Sequence, residues 1–216
     1  VTTSGFVRFP AAWAAGTAVL LLAGCAGGSG AGSEDRAAAL PRKDVGAVLP
    51  GREAMPGWKM SVMPSAVPMN SAREEQACVE GEGCEGSRFH NVSSFTREDG
   101  TATVGFSLVA YRNGKAAAAA YDVLWKQHER AAGAKSSKLD LKAGDRSDAR
   151  LGVAGFRNEL GAVVQMRVGT TLAWVELRGE AEGAFDDGLV RELAEMLSER
   201  AREAEGGDTP TAGLRG

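Results

Sequence analysis

Residues 99–114, DGTATVGFSLVAYRNG, decide the fold of this chain. Ala102, Val104, Phe106, Leu108 and Ala110 alternate with Thr101, Thr103, Gly105 and Ser107. A period of two places the apolar set on the buried face of a strand and the polar set on the other. Asp99-Gly100 ahead of it is a hairpin signal, because tight hairpin turns need residues that tolerate positive φ. That turn joins the strand to another over residues 88–95. Asn113-Gly114 then leads into a helix over 115–132, where five consecutive alanines give high helix propensity. Ala117, Tyr121, Leu124 and His128 fall near one face of that helix, with Trp125 beside it, and Gly133 stops it.

The same reading continues downstream. After a polar loop over 135–150, strands are expected at 153–158, 162–168 and 171–178, joined by tight glycine turns at Gly161 and Gly169. A closing helix over 185–204 carries Leu189, Val190, Leu193, Met196, Leu197 and Ala201 as its apolar stripe. Glu192, Glu195, Glu199 and Arg200 form its expected wet side. The order is ββα then βββα. The economical solution is an α+β domain over 58–204, an antiparallel sheet with its helices packed on one face.

The 216 residues carry 25 Lys+Arg against 28 Asp+Glu, a formal net charge of −3. That balance argues against a protein built to coat nucleic acid. Two His and three Cys leave few ligands for a metal centre, and no metal or cofactor is expected. No P-loop, G-x-G-x-x-G or H-E-x-x-H motif occurs.

The N-terminal residues read as an address. Arg8 precedes an apolar run from 11 to 23, too short for a membrane span, which needs roughly 20 residues. Leu22-Ala23-Gly24-Cys25 has the form of a bacterial lipobox. Residues 1–24 are therefore expected to be a lipoprotein signal peptide and Cys25 the site of lipidation. Acyl chains on Cys25 would hold the protein on the membrane, each buried methylene contributing about 0.8 kcal/mol. Residues 25–57, rich in Gly and Ser at first and in Pro later, are expected to be a flexible tether. Trp58, Met60 and Met63 mark where the chain meets the domain, and 205–216 reads as a disordered tail.

Cys78 and Cys84, spaced C-x5-C in an exported chain, favour a disulfide, with Gly81 and Gly83 letting the short loop bend. The competing readings are free thiols or a metal site of Cys78, Cys84 and His90, helped by Glu80 or Glu82; structural zinc usually shows C-x2-4-C spacing and four N/S ligands, and neither condition holds here. His128 needs an orienting carboxylate or a nucleophile to be catalytic, and Asp122 lies off its face. Ser107 follows Gly105-Phe106, but position 109 is Val, so the nucleophile elbow is incomplete. Tyr121, Trp125 and Trp174, with Trp58, are either core or the lining of a pocket between sheet and helix. Arg167 is expected to face the polar side and pair with Glu176 across its hairpin.

Three pieces of sequence carry a resemblance. They are Phe95-(x)3-Asp99-Gly100-(x)3-Val104 with the Ala-rich helix and Tyr121, Gly144-Asp145-(x)3-Ala149, and the run from Val163 through Arg167, Gly169 and Trp174 to Val175. Together they resemble the secreted domains of actinobacterial lipoproteins, loosely related to the extracytoplasmic sensor domain of mycobacterial Ser/Thr kinases. The similarity covers about residues 70–204. It implies an α+β domain outside the cytoplasm. The kinase type usually carries two disulfides and a pocket, whereas Cys78 and Cys84 here allow one bridge.

The sequence thus predicts a non-catalytic binding or accessory domain, lipid-anchored on the extracytoplasmic face of the bacterial cell membrane. Three alternatives stand beside it, one being a surface for an envelope protein partner, for which an exposed apolar patch would be the sign. Another is a carrier or sensor of an apolar ligand held near Tyr121, Trp125 and Trp174. The third is an envelope hydrolase, which needs a nucleophile and a base converging in a cleft.

Overall fold

The Asp99-Gly100 hairpin lies within a large antiparallel sheet. The chain is seen here as a computed structural model that describes residues 38–70, 74, 77–78, 82–132, 136–152, 160–179 and 184–215. The expected signal peptide, Cys25, the first part of the tether and the strand expected at 153–158 lie outside the described residues.

Among the described residues the strands are β1 (Trp58–Val62), β2 (Val67–Pro68), β3 (Ser87–Arg97), β4 (Ala102–Tyr111), β5 (Ser137–Lys138), β6 (Arg146–Leu151), β7 (Leu160–Val168) and β8 (Thr171–Gly179). The helices are α1 (Arg42–Val48), α2 (Gly114–Ala132) and α3 (Asp187–Glu205). The sheet order is β1-β3-β4-β8-β7-β6-β5, with the short β2 also paired to β3. All pairings are antiparallel. The expected α+β class is what forms. The turn between β3 and β4 is closed by Gly100 at φ 77° and by Asp99, whose carboxylate accepts from the Thr101 backbone and hydroxyl.

The helices divide between the two faces rather than sharing one. The alternating set of β4 (Ala102, Val104, Phe106, Leu108, Ala110) joins Phe95, Val164, Met166, Val175 and Leu177 in one core, covered by α1 and α3. The opposite face has its own cluster, in which Val109, Tyr111, Val163, Leu172 and Trp174 meet Ala117, Tyr121, Leu124 and Trp125 of α2. Leu108-Val109-Ala110-Tyr111 is apolar without interruption, and a strand buried on both faces requires that. Strand β6 replaces part of the expected polar loop. Of its residues only Ala149 is fully buried, which leaves little hydrophobic pattern to read.

Both ends of the expected domain extend further than the sequence indicates. Leu40, Val45, Val48, Leu49, Ala54 and Met55 are at most 4% exposed and belong to the main core. The tether expected over 25–57 therefore does not describe its second half. Pro41 there sits at the start of α1, where the missing N–H costs nothing. The 205–216 segment is not a free tail either. Leu214 donates its N–H to the Ala54 carbonyl (2.9 Å), and Ala212 and Leu214 pack on the core. The Glu203 carboxylate accepts from the Thr211 N–H and hydroxyl.

Arg200, expected on the wet side of α3, is buried at 4% exposure. Its guanidinium donates to the carbonyls of Ala47, Val48 and Leu49 at the end of α1 and to Ala212 of the C-terminal segment. A cation at a helix C-terminus satisfies the carbonyls that no further turn can take up. Burial holds its pKa below the ordinary arginine value, with Glu203 and Glu53 opposing. One side chain thus ties α1 and the C-terminal segment to α3.

Candidate functional site: an open polar cleft on the half-covered sheet face

Among the described residues helix α2 rests on β4, β6, β7 and β8 and leaves the β3 side of its face open. The uncovered ground is a cleft of 330 Å³ lined by Ser61, Ser94, Thr96, Thr103, Gly105, Glu176 and Arg178, with Phe95 and Val104 in its wall. Strand register explains this set. Thr96 lies opposite Thr103, Ser94 opposite Gly105, and Gly105 opposite Glu176. The pleat then aims these side chains to one face. Ser61 joins them because the register of β1 shifts between Met60 and Val62, and its hydroxyl lies 3.3 Å from that of Thr96. Glu176 and Arg178 form an ion pair across 3.5 Å, each about half exposed. At Gly105 an added Cβ would meet only the Glu176 carbonyl, at 4.0 Å, so the floor is open.

One end of the cleft adjoins α2. His128 stacks at a tilt on Trp174, ring centroids 5.8 Å apart, and Trp174 is two residues from Glu176. Burial lowers the His128 pKa, and the Glu176 carboxylate partly opposes that. His128 is therefore neutral at neutral pH, with an aromatic neighbour.

The three aromatic residues expected to line a pocket do come together, in a closed hydrogen-bonded packing. Tyr121, Trp125 and Trp174 are all buried. The Tyr121 hydroxyl donates to Asp148 (3.1 Å) or to the Gln165 carbonyl (3.3 Å). The fully buried Gln165 accepts from the Trp174 indole (2.8 Å) and donates to the Tyr121 carbonyl (2.7 Å). The polar atoms of Tyr121 and Trp174 are thus committed to protein partners. Burial and the Asp148 carboxylate push the Tyr121 phenol far above its usual pKa.

Cys78 and Cys84 are bridged, with Cα atoms 5.8 Å apart. Both are buried against Tyr111 and Leu124, and the Tyr111 hydroxyl donates to the Gly83 carbonyl (2.7 Å). The bridge therefore holds Cys78 and Gly83-Cys84 against the core under α2. Among the described residues no three His, Cys, Asp or Glu are grouped to hold a metal ion. His90 lies in β3 opposite Val67 and Val109. Arg167 does not face Glu176 as expected. The register sets Val163 opposite Glu176 and Leu172 opposite Arg167, and Arg167 lies 3.9 Å from Asp145 instead. A second hollow of 470 Å³ lies at the start of α2, but the Asn113 side chain there already caps the helix by accepting from Ala116.

No protein-family model matches the sequence, and no curated protein matches it. Among solved structures one likeness stands out. The fold is similar to the extracellular domain of PknH from Mycobacterium tuberculosis. The match has a TM-score of 0.51 at 9% identity and covers 80% of this chain and 100% of that one. At that identity the likeness is one of fold. It agrees in architecture with the resemblance in the sequence. Among the described residues no helix is long and apolar enough to cross a membrane.

Alternation alone places Thr103, Gly105 and Ser107 on the polar face of a strand. The cleft itself has no local signal, because nothing in the adjacent residues reveals where α2 stops covering the sheet.

Proposed function

We propose that this chain is a lipid-anchored, extracytoplasmic binding or accessory module of the bacterial cell envelope, without catalytic activity of its own. The observation that carries the reading is a disulfide-bonded α+β domain similar in fold to an extracellular domain. A bridge of this kind persists in oxidising compartments. Leu22-Ala23-Gly24-Cys25 supports the anchor, with acyl groups on Cys25 holding the domain at the membrane. The half-open sheet face supplies the binding surface.

The test is metabolic labelling with an alkyne fatty acid, followed by membrane fractionation and protease treatment of intact cells. The expected result is label on the wild-type chain, none on Cys25→Ala, and digestion from outside. Equal labelling of Cys25→Ala, or protection from the protease, overturns the reading.

A further inference from the structure

We propose that the open cleft binds a neutral, polyhydroxylated glycan. The proposal rests on the cleft being the binding surface and adds the class of ligand.

Four hydroxyl side chains from three strands, Ser61, Ser94, Thr96 and Thr103, point into one cleft. Each hydroxyl both donates and accepts, so a row of them complements a ligand whose own groups do both. Sugars have that property at nearly every carbon. The two charges in the cleft cancel locally, because Glu176 and Arg178 lie 3.5 Å apart. An anionic ligand would meet Glu176 and a cationic one Arg178, so the site favours a ligand without net charge. Together they still offer a carboxylate to accept and a guanidinium to donate hydrogen bonds.

The floor and rim supply the rest. Gly105 exposes backbone where any other residue would project a side chain into the cleft. A flat ring can lie against it. Beside the cleft, Val62 lies opposite Ser94 and Val92 two residues before it, 44% and 40% exposed, which puts apolar surface next to the hydroxyl row. The volume, 330 Å³, lies at the small end of ligand sites and suits a short saccharide segment. An open polar cleft of this kind binds weakly, in the millimolar to micromolar range.

The experiment is a titration of the full isotope-labelled chain with chitotetraose, followed by backbone amide shifts, with dextran sulfate as the anionic comparison. The expected result is shifts confined to residues 94–96, 103–105 and 176–178 with chitotetraose. Gly105→Leu fills the cleft from a position where nothing inside the fold is displaced, and leucine suits a strand better than glycine. It should weaken binding at least about tenfold with an unchanged melting temperature. Ser94→Ala with Thr103→Val, which removes hydroxyls at near-constant volume, should weaken it severalfold. Shifts that persist in Gly105→Leu overturn both the site and the ligand class. Cleft shifts with dextran sulfate but not chitotetraose overturn the neutral ligand and leave the cleft as the binding surface. No shift with chitotetraose overturns the glycan.

Discussion

Replacing Arg200 by Met is the sharpest test of how α1 and the C-terminal segment are held. Methionine keeps an unbranched side chain that fills the channel and removes the guanidinium donors. Three hydrogen bonds of 2.8–2.9 Å are lost, to Val48, Ala212 and Ala47, with a longer one to Leu49. A buried carbonyl left without a partner costs about 1–3 kcal/mol. Removing a desolvated cation returns part of that. Three such carbonyls, less that return, give a net loss of about 3 kcal/mol. For a domain of this size each kcal/mol moves the melting temperature by about 2–4 °C, so a fall of roughly 6–12 °C is expected. Circular dichroism melts and urea titrations of wild type and Arg200→Met measure it. Truncation after Gly207 removes Ala212 and Leu214, so the two changes share a contact and should combine less than additively. A fall of less than about 2 °C, or strict additivity with the truncation, would show that Arg200 does not tie α1 to the C-terminal segment.

Two further outcomes follow from local geometry. Gly144 has φ 70°, and a Cβ there would overlap the Arg167 backbone carbonyl, whereas Gly100 at φ 77° has open space around it. Gly144→Ala should therefore cost well over the roughly 1 kcal/mol expected of Gly100→Ala, where only the left-handed conformation is penalised; equal melting temperatures would contradict this. Tyr111 and Tyr121 are buried with phenol pKa values raised far above the ordinary 10, by burial first and by Glu85 and Asp148 second. A raised folded-state pKa means that the unfolded chain releases those protons first. Stability should be unaffected by these groups below about pH 10 and fall as pH rises above it. Absorbance at the tyrosinate band should rise only with unfolding, and a rise in the folded protein would refute the burial argument.

Much of the architecture was legible because its signals are local. The alternation across 101–110, the Asp99-Gly100 turn, the alanine run of α2 and the apolar stripe of α3 each depend on a few adjacent residues. The Cys78–Cys84 bridge was legible for the same reason. Strand β6 and helix α1 were missed because each is short and its apolar residues make contacts distant in sequence. Arg200 was misplaced because charge alone puts a residue on the wet side, and only its carbonyl partners, about 150 residues away, reverse that.

By itself, then, the sequence determined the class of fold, the extent of the central strands and helices, and the pairing of the two cysteines. The tertiary structure decided which face each helix covers. Periodicity states how many faces of a strand are apolar but not which partner covers them. The cleft exists because α2 crosses four strands and stops short of β3. Tyr121 and Trp174 are held in the packing because Gln165 and Asp148 reach their polar atoms from neighbouring strands, with Trp125 buried beside them. Burial is a property of the assembled chain, and the sites that depend on it appear only there.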